Sequence, residues 1–88
     1  MKLKDNLILR QVADTWVILP LTKDSLDFNG MLTLNESGAL LWKVLERGAD
    51  SNMLADALLA EYAVSREEAD ADVDSFLRKL AEAGCLEQ

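Results

Sequence analysis

Met31-Leu32-Thr33-Leu34-Asn35-Glu36-Ser37-Gly38-Ala39-Leu40-Leu41-Trp42 changes its hydrophobic period half-way along, and that change sets the fold. Met31 to Leu34 is a short apolar run around the β-branched Thr33, which suits a strand. Asn35 can cap a helix by accepting a backbone N–H on its side-chain oxygen. From Gly38 to Leu45 apolar residues lie on nearly every side. Leu41, Trp42 and Leu45 share one face and Leu40 and Val44 an adjacent one, which predicts the most buried helix of the chain.

On the N-terminal side of this junction the sequence reads as strands. Leu7-Ile8-Leu9-Arg10-Gln11-Val12 and Thr15-Trp16-Val17-Ile18-Leu19 are rich in β-branched and aromatic residues. The two-residue connection Ala13-Asp14 between them predicts a tight hairpin, although it lacks glycine. Pro20 is expected to close the second strand, because it has no N–H for a ladder. Thr22 to Gly30 reads as a polar turn ending in Asn29-Gly30. The strand after it, Met31 to Leu34, has no evident further partner, so one sheet edge is expected to stay open.

On the C-terminal side three helices are predicted, each with its own signals. Gly48 stops the first, since glycine takes the left-handed conformation without steric cost. Asp50 or Ser51 starts the second, with Leu54, Ala55, Leu58, Leu59 and Tyr62 recurring at three and four. Ser65-Arg66-Glu67-Glu68 fits a capping box, in which Ser65 and Glu68 satisfy each other's backbone amides. That helix runs through Ala69, Val73, Phe76, Leu77 and Leu80 to Gly84, after which Cys85-Leu86 is expected to fold back on the core.

Length and composition bound the rest. Eighty-eight residues, half of them hydrophobic, predict one folded domain over 1–88 rather than a disordered acidic tail. No segment has the length of a signal peptide or of the ~20 apolar residues of a membrane span, so a soluble cytoplasmic protein is expected. Residues 1–49 carry six basic and six acidic side chains, and residues 50–88 carry three against ten, so the whole net charge of -7 lies in the second half. Such a surface repels phosphate backbones and favours a basic peptide or protein face.

Catalytic constellations are missing. With no histidine, neither a Ser/His/Asp nor a Cys/His set can be assembled. Cys85 stands alone and reads as a small buried hydrophobe. Asp70, Asp72 and Asp74, two apart on a helix, point in different directions and make no metal cage. The expectation is no enzyme, no cofactor and no metal. Asp24-Ser25-Leu26 resembles the attachment site of acyl carrier proteins, but it follows strand-like runs where that family has a helix. A winged helix-turn-helix regulator matches the outline better. Its reading helix, from Ser65 to Gly84, would carry Arg66, Arg78 and Lys79 against six acids, and a net -3 is ill suited to DNA.

From Asp27 to Trp42 the sequence resembles the PqqD-like family, the relatives of pyrroloquinoline-quinone biosynthesis protein D, also called RiPP precursor peptide recognition elements. Leu34-Asn35, Gly38 and Leu41-Trp42 carry the likeness. Ala57-Leu58-Leu59-Ala60-Glu61-Tyr62, Phe76-Leu77-Arg78-Lys79-Leu80 and Gly84-Cys85-Leu86 extend it, so that it covers Ile8 to Leu86. The chain is more similar to the wider group found beside radical-SAM peptide-modifying enzymes than to the cofactor-pathway members. The resemblance implies an α+β, winged helix-turn-helix-like domain, a three-stranded antiparallel sheet followed by three helices. It further implies non-catalytic binding of the leader segment of a ribosomally made precursor peptide, which adds to the third strand beside the last helix and is presented to a modifying enzyme, in all expectation a radical-SAM one. The alternative is a winged-helix transcriptional or protein-interaction regulator.

The expected peptide-binding residues are Gly30, Met31, Leu32, Thr33 and Leu34 on the edge strand, where an added strand gains main-chain hydrogen bonds. Leu77, Asp70 and Asp74 on the last helix are expected to meet apolar and basic peptide side chains, with Phe28 as a lid at one end. Trp42, Leu41, Val73, Phe76 and Leu80 are expected in the core. Neither nucleic acid nor membrane is an expected partner. An open edge can also pair with a second copy, so the expected state is a monomer or a weak homodimer.

Overall fold

The computed structural model describes residues 2–20 and 32–87. Strands β1 (Leu7–Val12), β2 (Thr15–Pro20) and β3 (Leu32–Leu34) form one antiparallel sheet in the order β1-β2-β3. Helices α1 (Glu36–Glu46), α2 (Ser51–Glu61) and α3 (Arg66–Glu82) follow. This is the expected α+β arrangement, compatible with a winged-helix-like description. The expected turn from Thr22 to Gly30, with Ser25 and Phe28, lies outside the described residues, as does Met31.

The hairpin fixes which backbone groups point where. Val12 faces Thr15 across the two-residue turn, and the register runs back to Leu7 opposite Pro20. A turn of this length closes with a hydrogen bond between its flanking residues, and antiparallel pairs then alternate between bonded and non-bonded. Thr15, Val17 and Leu19 therefore direct their N–H and C=O groups at β1, while Trp16 and Ile18 direct theirs at β3. Pro20 falls in a non-bonded position opposite Leu7, which explains why the strand tolerates it as its last residue. At the turn Ala13 has φ +56°, a left-handed value that an L-residue holds at some cost.

The helix starts are local chemistry. The Asn35 side chain accepts from Gly38 N–H at 2.8 Å and Asp50 from Met53 N–H at 2.9 Å. The capping box is complete: Ser65 Oγ accepts from Glu68 N–H at 3.1 Å, and Glu68 Oε1 accepts from Ser65 N–H at 3.2 Å. Gly48 ends the α1 segment at φ +83°.

The core lies between the sheet and the helices, with α1 at its centre. Trp42, Leu41 and Leu45 are buried there together with Ile18 and Leu34 from the sheet, Leu54 and Leu58 from α2, and Val73, Phe76 and Leu80 from α3. The indole Nε1 of Trp42 has no hydrogen-bond partner among the described residues. A Cβ on Gly38 would stand 3.2 Å from both Leu34 Cβ and Asn35 Oδ1, so glycine lets α1 start directly under the end of β3. Lys43 on α1 lies over the Trp16 ring at 4.6 Å and ties the helix to β2.

A further pairing was not foreseen from the sequence. Leu3 and Leu86 form an antiparallel bridge, flanked by Lys4 N–H donating to Cys85 O and Glu87 N–H to Lys2 O, both at 2.9 Å. Cys85 is fully buried beneath it. Burial pushes its thiol pKa up to about 11, with nearby Lys4 pulling weakly the other way.

Candidate functional site

The sheet has two outer edges, β1 and β3, and the edge of β3 is the one that borders a groove lined by α3. Leu34 pairs with Trp16 and Leu32 with Ile18, the two positions at which β2 directs its backbone toward β3. Thr33, opposite Val17, must then turn both its N–H and its C=O away from the sheet. The structure bears this out, since Thr33 O accepts a hydrogen bond from Lys79 Nζ of α3 at 2.9 Å. Leu34 is buried, Leu32 half-buried and Thr33 exposed.

Beside that edge is a groove of about 280 Å³. One wall is the end of β3 and the start of α1, with Leu34, Asn35, Gly38 and Leu41. The other is a stripe of α3 made by Asp72, Ser75, Phe76 and Lys79. These four recur at three and four, so they share one flank of the helix. The floor is apolar, supplied by Leu34, Leu41 and Phe76, and the rims are polar, with an acid toward the start of α3 and a base in its last turn. A main-chain donor and acceptor beside an elongated groove of mixed lining suits an extended peptide. No group of three or more Cys, Asp or Glu among the described residues could hold a metal ion. No helix among them is long and apolar enough to cross a membrane.

The family model described as coenzyme PQQ synthesis protein D (PqqD) matches residues 15–86. The chain belongs to the PqqD family. The matched span runs from the first residue of β2 to the Leu86 bridge, so it contains the β3 edge and both walls of the groove. Two solved structures share this PqqD-like fold. TbiB1, solved in complex with the TbiA(beta) leader peptide, is 32% identical, with a TM-score of 0.79 over 99% of this chain and 95% of that one. Lasso peptide synthetase B1, complexed with the leader peptide, has a TM-score of 0.77 at 24% identity over 99% and 96% of the two chains, a likeness of fold. Among curated proteins none matches.

In this PqqD-family chain the residues expected from the sequence fall into three groups. Leu32, Thr33 and Leu34 form the edge strand, with Thr33 presenting the backbone and Leu34 lining the groove. Phe28, Gly30 and Met31 lie outside the described residues. Asp70, Asp74 and Leu77 share the other flank of α3, rotated about 180° from the groove stripe at roughly 100° per residue. Asp70 is held there by Arg66, whose Nε donates to it at 3.0 Å while its other nitrogens reach Asp56 and Asn52 of α2 at 3.0 and 2.9 Å. Asp74 is exposed, and Leu77 packs half-buried against the core. Sequence reasoning missed Asp72, Ser75 and Lys79 as groove residues and counted Phe76 as core alone, although it is both. The repeat of Asp72, Ser75, Phe76 and Lys79 at three and four was a visible signal, but nothing in it says which flank meets the sheet edge.

Proposed function

We propose that this protein is a non-catalytic recognition element that binds the leader segment of a ribosomally synthesised precursor peptide and presents it to a radical-SAM or other peptide-modifying enzyme. The leader adds as a fourth strand outside β3 and lies in the groove against α3. The observation that carries this reading is the outward-turned backbone of Thr33 beside a groove walled by α3. The 32% identity to TbiB1, a protein solved with a leader peptide bound, supports it. Thr33 supplies the main-chain pairing, Leu34 and Phe76 the floor, and Asp72 a polar rim. Gly30 and Met31 precede the binding strand in sequence, and Phe28 is the lid at one end. Asp70, Asp74 and Leu77 lie on the flank of α3 away from this groove, where they would meet only leader side chains that extend past it. The protein is cytoplasmic and acts as a monomer or weak homodimer.

The test is a proton–nitrogen NMR titration of the labelled protein with leader peptides encoded beside its gene. Shifts concentrated at Leu32–Leu34 and along Asp72–Lys79 are expected. Binding with shifts confined to the Asp70, Asp74 and Leu77 flank would refute the groove, and no response to any such leader would refute the function.

A further inference from the structure

Lys79 does more than border the groove. It leaves α3 on the groove flank and reaches across to β3, where its ammonium occupies Thr33 O at 2.9 Å. That oxygen is the acceptor which residues 32–34 turn outward, as the alternation of the ladder requires. Asp72 stands on the same stripe two turns back, yet among the described residues no carboxylate is within ion-pair distance of Lys79. Its partner is the main chain of the edge strand.

We propose that Lys79 is a latch on the groove: in the peptide-free protein it closes the β3 edge at Thr33, and it must swing away before a peptide strand can pair there. This rests on the strand-addition reading. An added strand lies about 4.8 Å from its neighbour and brings its own N–H to about 2.9 Å from the same oxygen. The oxygen has a second lone pair, but the incoming backbone needs the space that the lysine stem now spans. Lys79 is exposed, so the swing exchanges a charge-assisted hydrogen bond for hydration and is small in energy. It lowers the affinity of any added strand by a small factor, which a peptide that also contacts Leu34 and Phe76 recovers more readily than a bare strand edge.

The experiment compares the wild-type protein with Lys79→Met, which keeps the apolar stem and removes the donor at an exposed position where the fold is insensitive. Two readouts are taken. In the free protein, the carbonyl carbon-13 resonance of Thr33 should move when the donor is removed. For binding, the probe is the strongest binder selected on the wild-type protein from a randomised linear-peptide display library, with Thr33→Pro as control. Lys79→Met should bind it about two- to fivefold more tightly, mainly through faster association, as befits the loss of one exposed charged contact in the free state. An unmoved Thr33 carbonyl, or unchanged or weaker binding by Lys79→Met while Thr33→Pro still blocks the peptide, overturns the latch alone. If no peptide is selected, or Thr33→Pro binds it as well as wild type, strand addition falls and the latch with it.

Discussion

Replacing Thr33 by proline separates binding from folding, and replacing Leu32 by proline does not. Thr33 N–H points away from β2, so the pyrrolidine ring removes no bond of the existing sheet. Leu32 before it is already in a strand, the conformation that a residue preceding proline prefers. The narrower φ range costs something, but a stiffer unfolded chain offsets part of it, and the net change in stability should stay below about 1 kcal/mol. Binding is hit much harder. One main-chain bond to the leader is lost, about 1 kcal/mol, and the leader carbonyl it served is left against the ring without a donor, a further 1–2 kcal/mol or so. At about 1.4 kcal/mol per tenfold, the leader Kd should rise roughly 30- to 150-fold.

Leu32→Pro instead deletes a bond directed at Ile18, a residue with no solvent exposure, and orphans its carbonyl. That should cost roughly 2–4 kcal/mol, a large share of the few to ~13 kcal/mol expected for a chain of this size. Guanidinium unfolding followed by tryptophan fluorescence gives the stabilities, and anisotropy of a labelled leader peptide gives the affinities. The reasoning is refuted if Thr33→Pro unfolds as readily as Leu32→Pro, or if folded Thr33→Pro keeps its affinity.

Three other expectations concern stability. Ala13→Gly should raise it by about 0.5–1 kcal/mol, because relief of the positive φ at the hairpin exceeds the added freedom of the unfolded chain; a lower denaturation midpoint would show that Ala13 is not strained. Gly38→Ala should lower it by about 1 kcal/mol: the gain in helix propensity, at most about 1 kcal/mol, is outweighed by a methyl pressed against Leu34 Cβ and the capping oxygen of Asn35 at 3.2 Å. A more stable variant would mean that the cap yields freely. For Cys85, the folded pKa of about 11 lies above the unfolded value near 9, so the folded state holds its proton more tightly and stability falls as pH rises between the two. Wild type should lose about 2–3 kcal/mol more than Cys85→Ala over that interval, measured by denaturation at a series of pH values; parallel curves would contradict the burial of the thiol.

Much of the fold was legible because its signals are local. Asn35, Asp50 and Ser65 each bond an amide three residues ahead, and the glycine stops need only their own φ. Trp42, Leu41 and Leu45 announce a buried helix by their spacing alone. The open edge was legible too, by counting strands and finding no partner for the third. The other wall of the site was not. α3 has a core stripe through Val73, Phe76 and Leu80 with a flank on either side, and both flanks are polar and acidic. Which of them meets the edge depends on how α3 crosses the sheet, and that is set by packing on α1 and α2. Lys79 reaches Thr33 across 46 positions of sequence, and no local pattern encodes such a contact. The pairing of residues 2–4 with 85–87 escaped for the same reason, since three residues with one leucine among them carry no period.

That pairing has a consequence for engineering. Because Leu3 and Leu86 sit side by side, with Lys2 and Glu87 forming an ion pair at 3.9 Å, the polypeptide enters and leaves the domain through one small doorway. A host protein could carry this domain in a surface loop as a plug-in unit, its two junctions as close as neighbouring strands and its groove undisturbed. The same proximity allows the doorway to be sealed with a short linker and a new opening cut at the Ala13-Asp14 turn, giving a circular permutant that retains every strand and helix.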